Sequence, residues 1–175
     1  LNMETIIEDK GIWTRYEGFS PTCLVWSGYR VTHQDIDIRE ALEVSCNYFF
    51  YELGWLIRES GHFMDLDATA AGFGLGEPTG IELLEKVGHR SNEESKKASY
   101  TTAVNQQWSG GDRVLTGIGQ AENRFTPMQL AVYASTLANR GTRMKATFLN
   151  RVVSADYRSL ISENQPEILS TMEVS

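Results

Sequence analysis

A chain of 175 residues, 41% of them hydrophobic, is long enough to form one domain with its own core. Its formal net charge of −7 argues against binding to nucleic acid or to anionic membranes, which requires clustered lysine and arginine. No run approaches the roughly 20 apolar residues that span a bilayer, so the sequence predicts neither a membrane-spanning helix nor a signal peptide.

The N-terminal part is predicted to contain loops followed by a helix. Residues 1–7 are interpreted as the end of a helix. Residues 10–31 mix glycine with aromatic and β-branched residues, which favours loops and a short β-ribbon. Asp37 followed by Glu40 is a capping-box pattern, and it predicts a helix that runs to about Ser45.

The middle of the chain is predicted to alternate between helices and glycine-rich or polar segments. A second helix is expected over residues 46–61 and a short one over residues 65–71, followed by a glycine-rich turn at 72–80. Residues 84–112 are polar and weakly patterned. Four charged side chains in this segment are expected on a solvated face: Glu93, Glu94, Lys96 and Lys97.

The clearest helix signal lies between residues 126 and 141. Thr126 is placed to cap the helix, Pro127 suits its first position, and Gln129 completes a capping box. Gly141 suits a left-handed exit. An apolar stripe is formed by Leu130, Ala131, Ala134, Leu137 and Ala138. Further apolar residues widen this stripe, which predicts a helix buried inside a domain.

The C-terminal segment is predicted to change from strand to helix. Residues 143–153 have the composition of a strand. From Ser162 to the end of the chain the sequence is interpreted as the start of a helix, with Pro166 in its first turn.

The cysteines and histidines give no motif for a metal or cofactor. Cys23 and Cys46 permit one disulfide without implying it, and Cys46 is interpreted as a small buried thiol. The histidines are scattered along the chain: His33, His62 and His89. None has a second histidine at the spacing that places two ligands on one helix face, so neither a zinc site nor a cofactor is predicted.

Ser45 and Asn47 are the candidate site residues. Side chains two residues apart in an ideal helix point about 200° apart, so they can face one cleft only if the backbone breaks between the two predicted helices. The Ser-x-Asn spacing alone is not specific, because it recurs at Ser162. The capped helix before the first copy and the aromatic run 48–51 after it favour Ser45.

These residues also carry a family resemblance. Six segments contribute to it: 36–54 around Ser45, Phe73–Leu83, Trp108–Asp112, Ile118–Gln120, Thr126–Ala131 and Leu137–Gly141. In order and rough spacing they resemble penicillin-binding transpeptidase domains, specifically the monofunctional class B enzymes. The resemblance covers roughly residues 1–155.

The resemblance implies both a fold and an enzyme class. It implies that residues 1–175 form part of a penicillin-binding transpeptidase domain. The expected part is the mainly α, helical part of the α/β serine β-lactamase/transpeptidase-like fold. The strands of the main sheet are expected to be absent, and only short β-ribbons are expected. It implies a bacterial D,D-transpeptidase that acts on peptidoglycan stem peptides ending in D-Ala–D-Ala and is acylated by β-lactams. Such a parent is membrane-anchored and works on the extracytoplasmic face of the cytoplasmic membrane.

The resemblance also assigns roles to the two candidate residues. Ser45 would pass a proton between an active-site lysine and the leaving or attacking group. Asn47 would hydrogen-bond that lysine and the substrate amide. The family's other two motifs, Ser-x-x-Lys and Lys-Thr-Gly, do not occur in these 175 residues. The chain is therefore expected to be an internal slice of its parent that lacks the nucleophile and is inactive alone.

Two alternatives remain open. A β-lactam sensor or a β-lactamase would share the architecture and differ in deacylation, although Gln120 followed six residues later by Thr126-Pro127 favours a transpeptidase. The other alternative is a non-catalytic helical scaffold or binding module. Because the main sheet is missing, the slice is expected to expose former core surface, through which it would self-associate as a dimer or aggregate, or to rearrange.

Overall fold

Short helices and three pairs of short strands make up the chain, which a computed structural model describes over residues 1–173. The helices are α1 (Leu24–Tyr29), α2 (Ile38–Glu43), α3 (Asn47–Glu59), α4 (Phe63–Gly72), α5 (Glu93–Ser99), α6 (Gly110–Gly117) and α7 (Pro127–Ala138). The strands are β1 (Ile7–Asp9), β2 (Gln34–Ile36), β3 (Thr142–Met144), β4 (Arg151–Val153), β5 (Leu160–Glu163) and β6 (Ile168–Thr171). The prediction of a mainly helical fold with only short β-ribbons is confirmed.

The described chain divides into two compact units. The first comprises residues 1–64 and 91–123, and the second comprises residues 65–90 and the chain from Arg124 onward. The assignment of residues 1–175 to one partial domain stays a prediction. Along the described residues, no helix combines the length and the apolar character needed to cross a membrane.

The N-terminal segment forms a strand, so the prediction that residues 1–7 end a helix was wrong. β1 pairs antiparallel with β2, and Ile7 lies opposite Ile36. The first and last side chains of β1 are buried and the middle one is exposed, as in a strand with one buried face. Three residues of alternation are too few to be recognised in a sequence. The ribbon predicted within residues 10–31 is present as two bridges, Ile12–Thr22 and Tyr16–Phe19, but α1 was not predicted.

Helix α3 lies at the centre of the first unit. Its buried residues are Tyr48, Phe49, Tyr51, Glu52 and Gly54. It packs on α6 through two glycines. A Cβ atom added at Gly54 would lie 3.5 Å from the Cα atom of Gly117, and one added at Gly117 would lie 2.8 Å from the carbonyl oxygen of Phe50. The two helices therefore approach at a point where one of them has no room for a side chain.

An ion pair links α5 to α6 in the same unit. Lys96 pairs with Asp112, and their side chains are only 14% and 12% exposed. The carboxylate of Asp112 also accepts hydrogen bonds from the backbone amide and the hydroxyl of Ser109, both at 2.7 Å, which caps α6. Glu93 and Lys97 are exposed, as predicted, and they form an ion pair with each other. The prediction of a solvated face was wrong for Lys96, because its ammonium group pairs with the buried carboxylate of Asp112.

In the second unit, α7 begins as predicted. The Thr126 hydroxyl accepts a hydrogen bond from the backbone amide of Gln129 at 3.2 Å, and the Gln129 side chain accepts one from the amide of Thr126 at 3.0 Å. Pro127 is the first helical residue. Gly141 has a φ of 86°, which is the predicted left-handed exit.

The buried face of α7 is not the predicted one. The helix buries Gln129, Val132 and Thr136, and the Gln129 side-chain amide donates a 2.9 Å hydrogen bond to the carbonyl oxygen of Glu77. The predicted apolar stripe is exposed: Leu130, Ala131, Ala134, Leu137 and Ala138. The helix uses its more polar face to bind the glycine-rich turn, which leaves the stripe exposed. The prediction of burial was therefore wrong for this chain.

The C-terminal segment forms strands, so the prediction of a helix from Ser162 was wrong. Ser162 lies in β5, which pairs with β4, and β6 pairs with β3. The backbone amide of Lys145 donates a 2.9 Å hydrogen bond to the carbonyl of Glu167 and extends the second of these pairs to the residue that follows Pro166. Pairing with β3 and β4 thus decides the conformation of this segment. Val174 and Ser175, the last residues of that prediction, lie outside the described part.

Candidate active-site segment

The junction between α2 and α3 places the two candidate residues. The Asp37 carboxylate accepts hydrogen bonds from the amides of Arg39 and Glu40 and caps α2 as predicted. The helix ends at Glu43 rather than at about Ser45. Ser45 has a left-handed φ of 54°, and α3 begins at Asn47. The backbone break that Ser45 and Asn47 need in order to face one cleft is therefore present.

The break has the geometry of a Schellman turn. The amide of Cys46 donates to the carbonyl of Ala41 at 2.9 Å, and the amide of Ser45 donates to that of Leu42 at 3.3 Å. Glycine usually occupies the left-handed position of this turn, because there a residue with a Cβ atom costs about 1 kcal/mol or more. Ser45 holds that position instead. A serine kept where glycine is favoured is a reason to look for a role of its hydroxyl.

The turn presents Ser45 and Asn47 to solvent on either side of a buried residue. Ser45 is exposed, Asn47 is half-buried and Cys46 is fully buried. Within residues 1–173, neither the Ser45 hydroxyl nor the Asn47 amide hydrogen-bonds another group of the chain. Both polar groups are therefore available to an external partner. Ser162, in the other Ser-x-Asn sequence, is an exposed residue of β5.

Cys46 belongs to a cluster of four polar groups inside the first unit. The other members are Asp9 at the end of β1, Cys23 immediately before α1, and His33 before β2. The Asp9 carboxylate lies 2.9 Å from Nδ1 of His33 and 3.6 Å from Sγ of Cys46. Sγ of Cys23 lies 3.6 Å from Nδ1 of His33 and 3.8 Å from Sγ of Cys46. The two cysteines are free thiols.

Backbone hydrogen bonds hold the carboxylate of this cluster in place. Asp9 accepts from the amide of Gly11 at 2.8 Å and from the amide of His33 at 2.9 Å. Burial raises the pKa of the Cys46 thiol far above its usual value, and the nearby carboxylate of Asp9 raises it further. The prediction that Cys46 is a small buried thiol is confirmed.

The four groups are a donor set for a thiophilic divalent metal. One ligand atom from each lies within 4.8 Å of all the others, and two sulfurs with one imidazole nitrogen and one carboxylate oxygen suit tetrahedral Zn²⁺. The sequence analysis expected no metal site because it considered only the spacing of histidines. This cluster contains a single histidine, so that criterion could not detect it. No local spacing could have revealed it, since the four ligands come from four separate segments.

A second polar network anchors α3. Glu52 is buried, and its carboxylate accepts hydrogen bonds of 2.9 Å from the Trp13 indole and from Nε of Arg15. The Arg15 guanidinium also lies 3.9 Å from the ring centre of Trp55. These contacts tie the loop after β1 to the middle of α3, the helix that carries Asn47 at its first position.

Comparisons with known proteins identify the family of this chain. A family model described as the penicillin binding protein transpeptidase domain matches residues 4–175. Peptidoglycan D,D-transpeptidase MrdA of Haemophilus influenzae is 32% identical over 145 residues, which cover 81% of this chain and 20% of that protein. Penicillin-binding protein 2B of Streptococcus pneumoniae is 30% identical over 114 residues, which cover 63% of this chain and 15% of that protein. The chain spans about a fifth of the length of the first of these relatives.

Solved structures share the fold. Penicillin-binding protein 2B from Streptococcus pneumoniae has a TM-score of 0.75 at 22% identity, over 100% of this chain and 28% of that one. Penicillin-binding protein A from Mycobacterium tuberculosis, in an acyl-enzyme complex with ceftriaxone, has a TM-score of 0.74 at 20% identity, over 98% of this chain and 34% of that one. From the family match along nearly its whole length, the chain belongs to the penicillin-binding protein transpeptidase domain family and is part of a class B transpeptidase domain.

Proposed function

We propose that this chain supplies the Ser-x-Asn element of a peptidoglycan D,D-transpeptidase that transfers acyl groups from stem peptides ending in D-Ala–D-Ala. The supporting observation is the Schellman turn between α2 and α3, which presents the Ser45 hydroxyl and the Asn47 amide unpaired on either side of the buried Cys46. The name of the MrdA relative supports the reaction class.

The two side chains suit the proposed roles by their hydrogen-bonding capacity. A serine hydroxyl both donates and accepts, so Ser45 passes a proton between the reacting nitrogen or oxygen and a neighbouring base. An asparagine side chain carries two N–H donors and one carbonyl acceptor, so Asn47 orients a lysine ammonium through its oxygen and a substrate carbonyl through its N–H. Ser45 thus transfers a proton and Asn47 orients the groups it binds, and neither residue is the nucleophile.

The nucleophile belongs to a Ser-x-x-Lys motif, which these 175 residues do not contain. In the proposed reaction that serine attacks the carbonyl of the D-Ala–D-Ala bond, D-Ala leaves, and an amine of a second stem peptide takes the acyl group. A β-lactam follows the same first step and stays attached. The whole enzyme is proposed to work on the extracytoplasmic face of a bacterial membrane, as its peptidoglycan substrate requires.

The first test is acylation of the chain itself. We expect the intact mass of the 175-residue protein to be unchanged after incubation with a penicillin, beside a control without penicillin. A stoichiometric adduct of one penicillin mass would contradict the proposed inactivity, and peptide mapping would then identify the nucleophile.

The second test uses a longer chain that also contains Ser-x-x-Lys and Lys-Thr-Gly. Ser45→Ala should slow its acylation by a fluorescent penicillin roughly 10²–10⁴-fold, the usual contribution of a positioned proton-transfer group. Ser162→Ala is the matched control, because it removes an exposed serine from the other Ser-x-Asn sequence, and its rate should be unchanged. Equal rates for both variants would refute the role of Ser45.

The rate of deacylation separates the transpeptidase from its alternatives. A transpeptidase stays acylated by penicillin and transfers a peptide acyl group to an added amine, whereas a β-lactamase releases hydrolysed penicillin with turnover. A sensor becomes acylated but transfers no peptide. A scaffold does neither, even when all three motifs are present.

A further inference from the structure

The sulfurs of Cys23 and Cys46 lie close enough to bond to each other. Their 3.8 Å separation is a van der Waals contact, and a disulfide at about 2.0 Å needs them to approach by about 1.8 Å in total. Both side chains are fully buried in the same core cluster. They are the only cysteines of the chain, so within it each has one partner.

The same two sulfurs are half of the metal donor set described above. A thiolate binds a divalent metal because it carries negative charge, and a sulfur in a disulfide has lost that charge. Asp9 and His33 would then remain as two ligands, too few for a closed tetrahedral site. Oxidation and metal binding therefore exclude each other at this cluster.

The position of Cys46 connects this choice to the candidate active site. Cys46 lies between Ser45 and Asn47, and its amide closes the turn that holds Ser45 in its left-handed conformation. Cys23 lies immediately before α1. We propose that Cys23 and Cys46 form a reversible disulfide that competes with a thiophilic divalent metal, so that the middle residue of Ser-x-Asn is a redox-sensitive modification site. This inference uses only the geometry of the first unit and does not depend on the proposed transpeptidase reaction.

The oxidation needs a small oxidant, because both thiols are buried, and a hydroperoxide fits this requirement. One buried thiol first gives up its proton, and the resulting thiolate attacks hydrogen peroxide and becomes a sulfenic acid, releasing hydroxide. The second thiolate attacks that sulfur, the S–S bond forms, and a second hydroxide leaves. The two released hydroxides take up the two thiol protons. The balance is two thiols and one hydrogen peroxide giving one disulfide and two waters.

The test begins with the reduced, metal-free 175-residue protein treated with hydrogen peroxide. Remaining thiols are alkylated after unfolding, and tryptic digestion follows. We expect a disulfide-linked pair of peptides, residues 16–30 and 40–58, which a reducing agent separates. The unfolding midpoint of the oxidised protein should be higher by on the order of 5–10 °C, because the disulfide closes a loop in the unfolded chain. Failure to find the linked pair at any peroxide concentration that oxidises the methionines would overturn the proposal.

Zn²⁺ alone is the probe of the competing state. We expect the reduced protein to bind one Zn²⁺ per chain by native mass spectrometry, the oxidised protein to bind none, and reduction to restore binding. Bound Zn²⁺ should slow formation of the linked peptides at least tenfold. Undiminished zinc binding after oxidation, or no protection by zinc, would overturn the exclusive relation, and neither measurement requires a variant.

Variants assign the effect to the cluster. Cys23→Ser should abolish both the linked peptides and the zinc protection. Asp9→Asn should weaken zinc binding and leave disulfide formation intact, whereas Asp35→Asn, an exposed carboxylate of the neighbouring strand β2, should change neither. Equal zinc affinity in the Asp9 and Asp35 variants would exclude Asp9 as a ligand.

Discussion

Gly54 on α3 and Gly117 on α6 lie back to back, and a Cβ atom on the first would meet the Cα atom of the second at 3.5 Å. Conversely, a Cβ atom added to Gly117 would lie 2.8 Å from the carbonyl oxygen of Phe50 on α3. This distance is shorter than the contacts that Cβ atoms make in real proteins. This contact fixes the distance between the two helices. It also fixes α3, the helix that starts at Asn47.

Gly117→Ala is expected to destabilise the protein by about 1–3 kcal/mol, because the added methyl group must push α6 away from α3. Gly28→Ala is the matched control. Gly28 lies within α1, and a Cβ atom there would meet no other atom within 4 Å, so alanine should be neutral or stabilise by up to about 1 kcal/mol. Urea unfolding of both variants measures the difference. Equal stability of the two variants would contradict the close contact.

Ser45→Gly is expected to leave stability unchanged or to raise it by up to about 1 kcal/mol, because glycine adopts the left-handed conformation without the cost of a Cβ atom. Ser162→Gly is the control. Ser162 lies in β5 with no positive φ, so glycine there should lower stability by roughly 0.5–1 kcal/mol. Chemical denaturation distinguishes the two signs. A clear loss of stability in the Ser45 variant would mean that the serine hydroxyl stabilises the turn.

The pair of Lys96 and Asp112 should make stability depend on pH. Burial acts to raise the pKa of Asp112, but the bonds from Lys96 and Ser109 outweigh it and hold that pKa below its usual value. A carboxyl whose folded pKa is depressed stabilises the protein above its unfolded pKa of about 3.9, and this contribution disappears as pH falls through the lower folded value. Asp112→Asn should therefore reduce the loss of stability between about pH 5 and pH 2, measured by urea unfolding at each pH. Asp35→Asn, which removes an exposed carboxylate, should leave the curve unchanged.

The exposed stripe of α7 should drive self-association. Leu130 and Leu137 are 48% and 47% exposed on one face together with three alanines, and contiguous apolar surface of this kind favours association. We expect light scattering to show concentration-dependent oligomers, and Leu130→Glu with Leu137→Glu to give monomers. Ser135→Glu is a control on the same helix outside the stripe, and it should still associate. A monomer at all concentrations would refute this expectation.

Local signals in the sequence were sufficient for the elements they delimit. The capping boxes that begin with Asp37 and Thr126 predicted the starts of α2 and α7, because the cap and its partner lie within one turn. The break between Ser45 and Asn47 followed from helix geometry together with the expectation that both residues face one cleft. The catalytic roles of these two residues stay a prediction.

Features that depend on contacts with other segments of the chain could not be predicted from local sequence signals. The strands after Ser162 owe their conformation to partners in β3 and β4, and the stripe of α7 is exposed because its other face binds the 72–80 turn. The cluster around Cys46 joins four segments that have no common spacing. Residues of this kind become a site only through tertiary packing.

The burial of Cys46 limits the size of the side chain that the middle position of Ser-x-Asn can hold in this fold. The pattern Ser-x-Asn places no condition on its middle residue, but here the side chain of that residue is fully buried, whereas Ser45 is exposed and Asn47 is half-buried. A side chain much larger than a thiol would have to displace the core or unwind the turn, and either movement would reorient both neighbours. Side-chain volume at this position is therefore part of the specification of the candidate active site, even though the residue offers no polar group to a substrate.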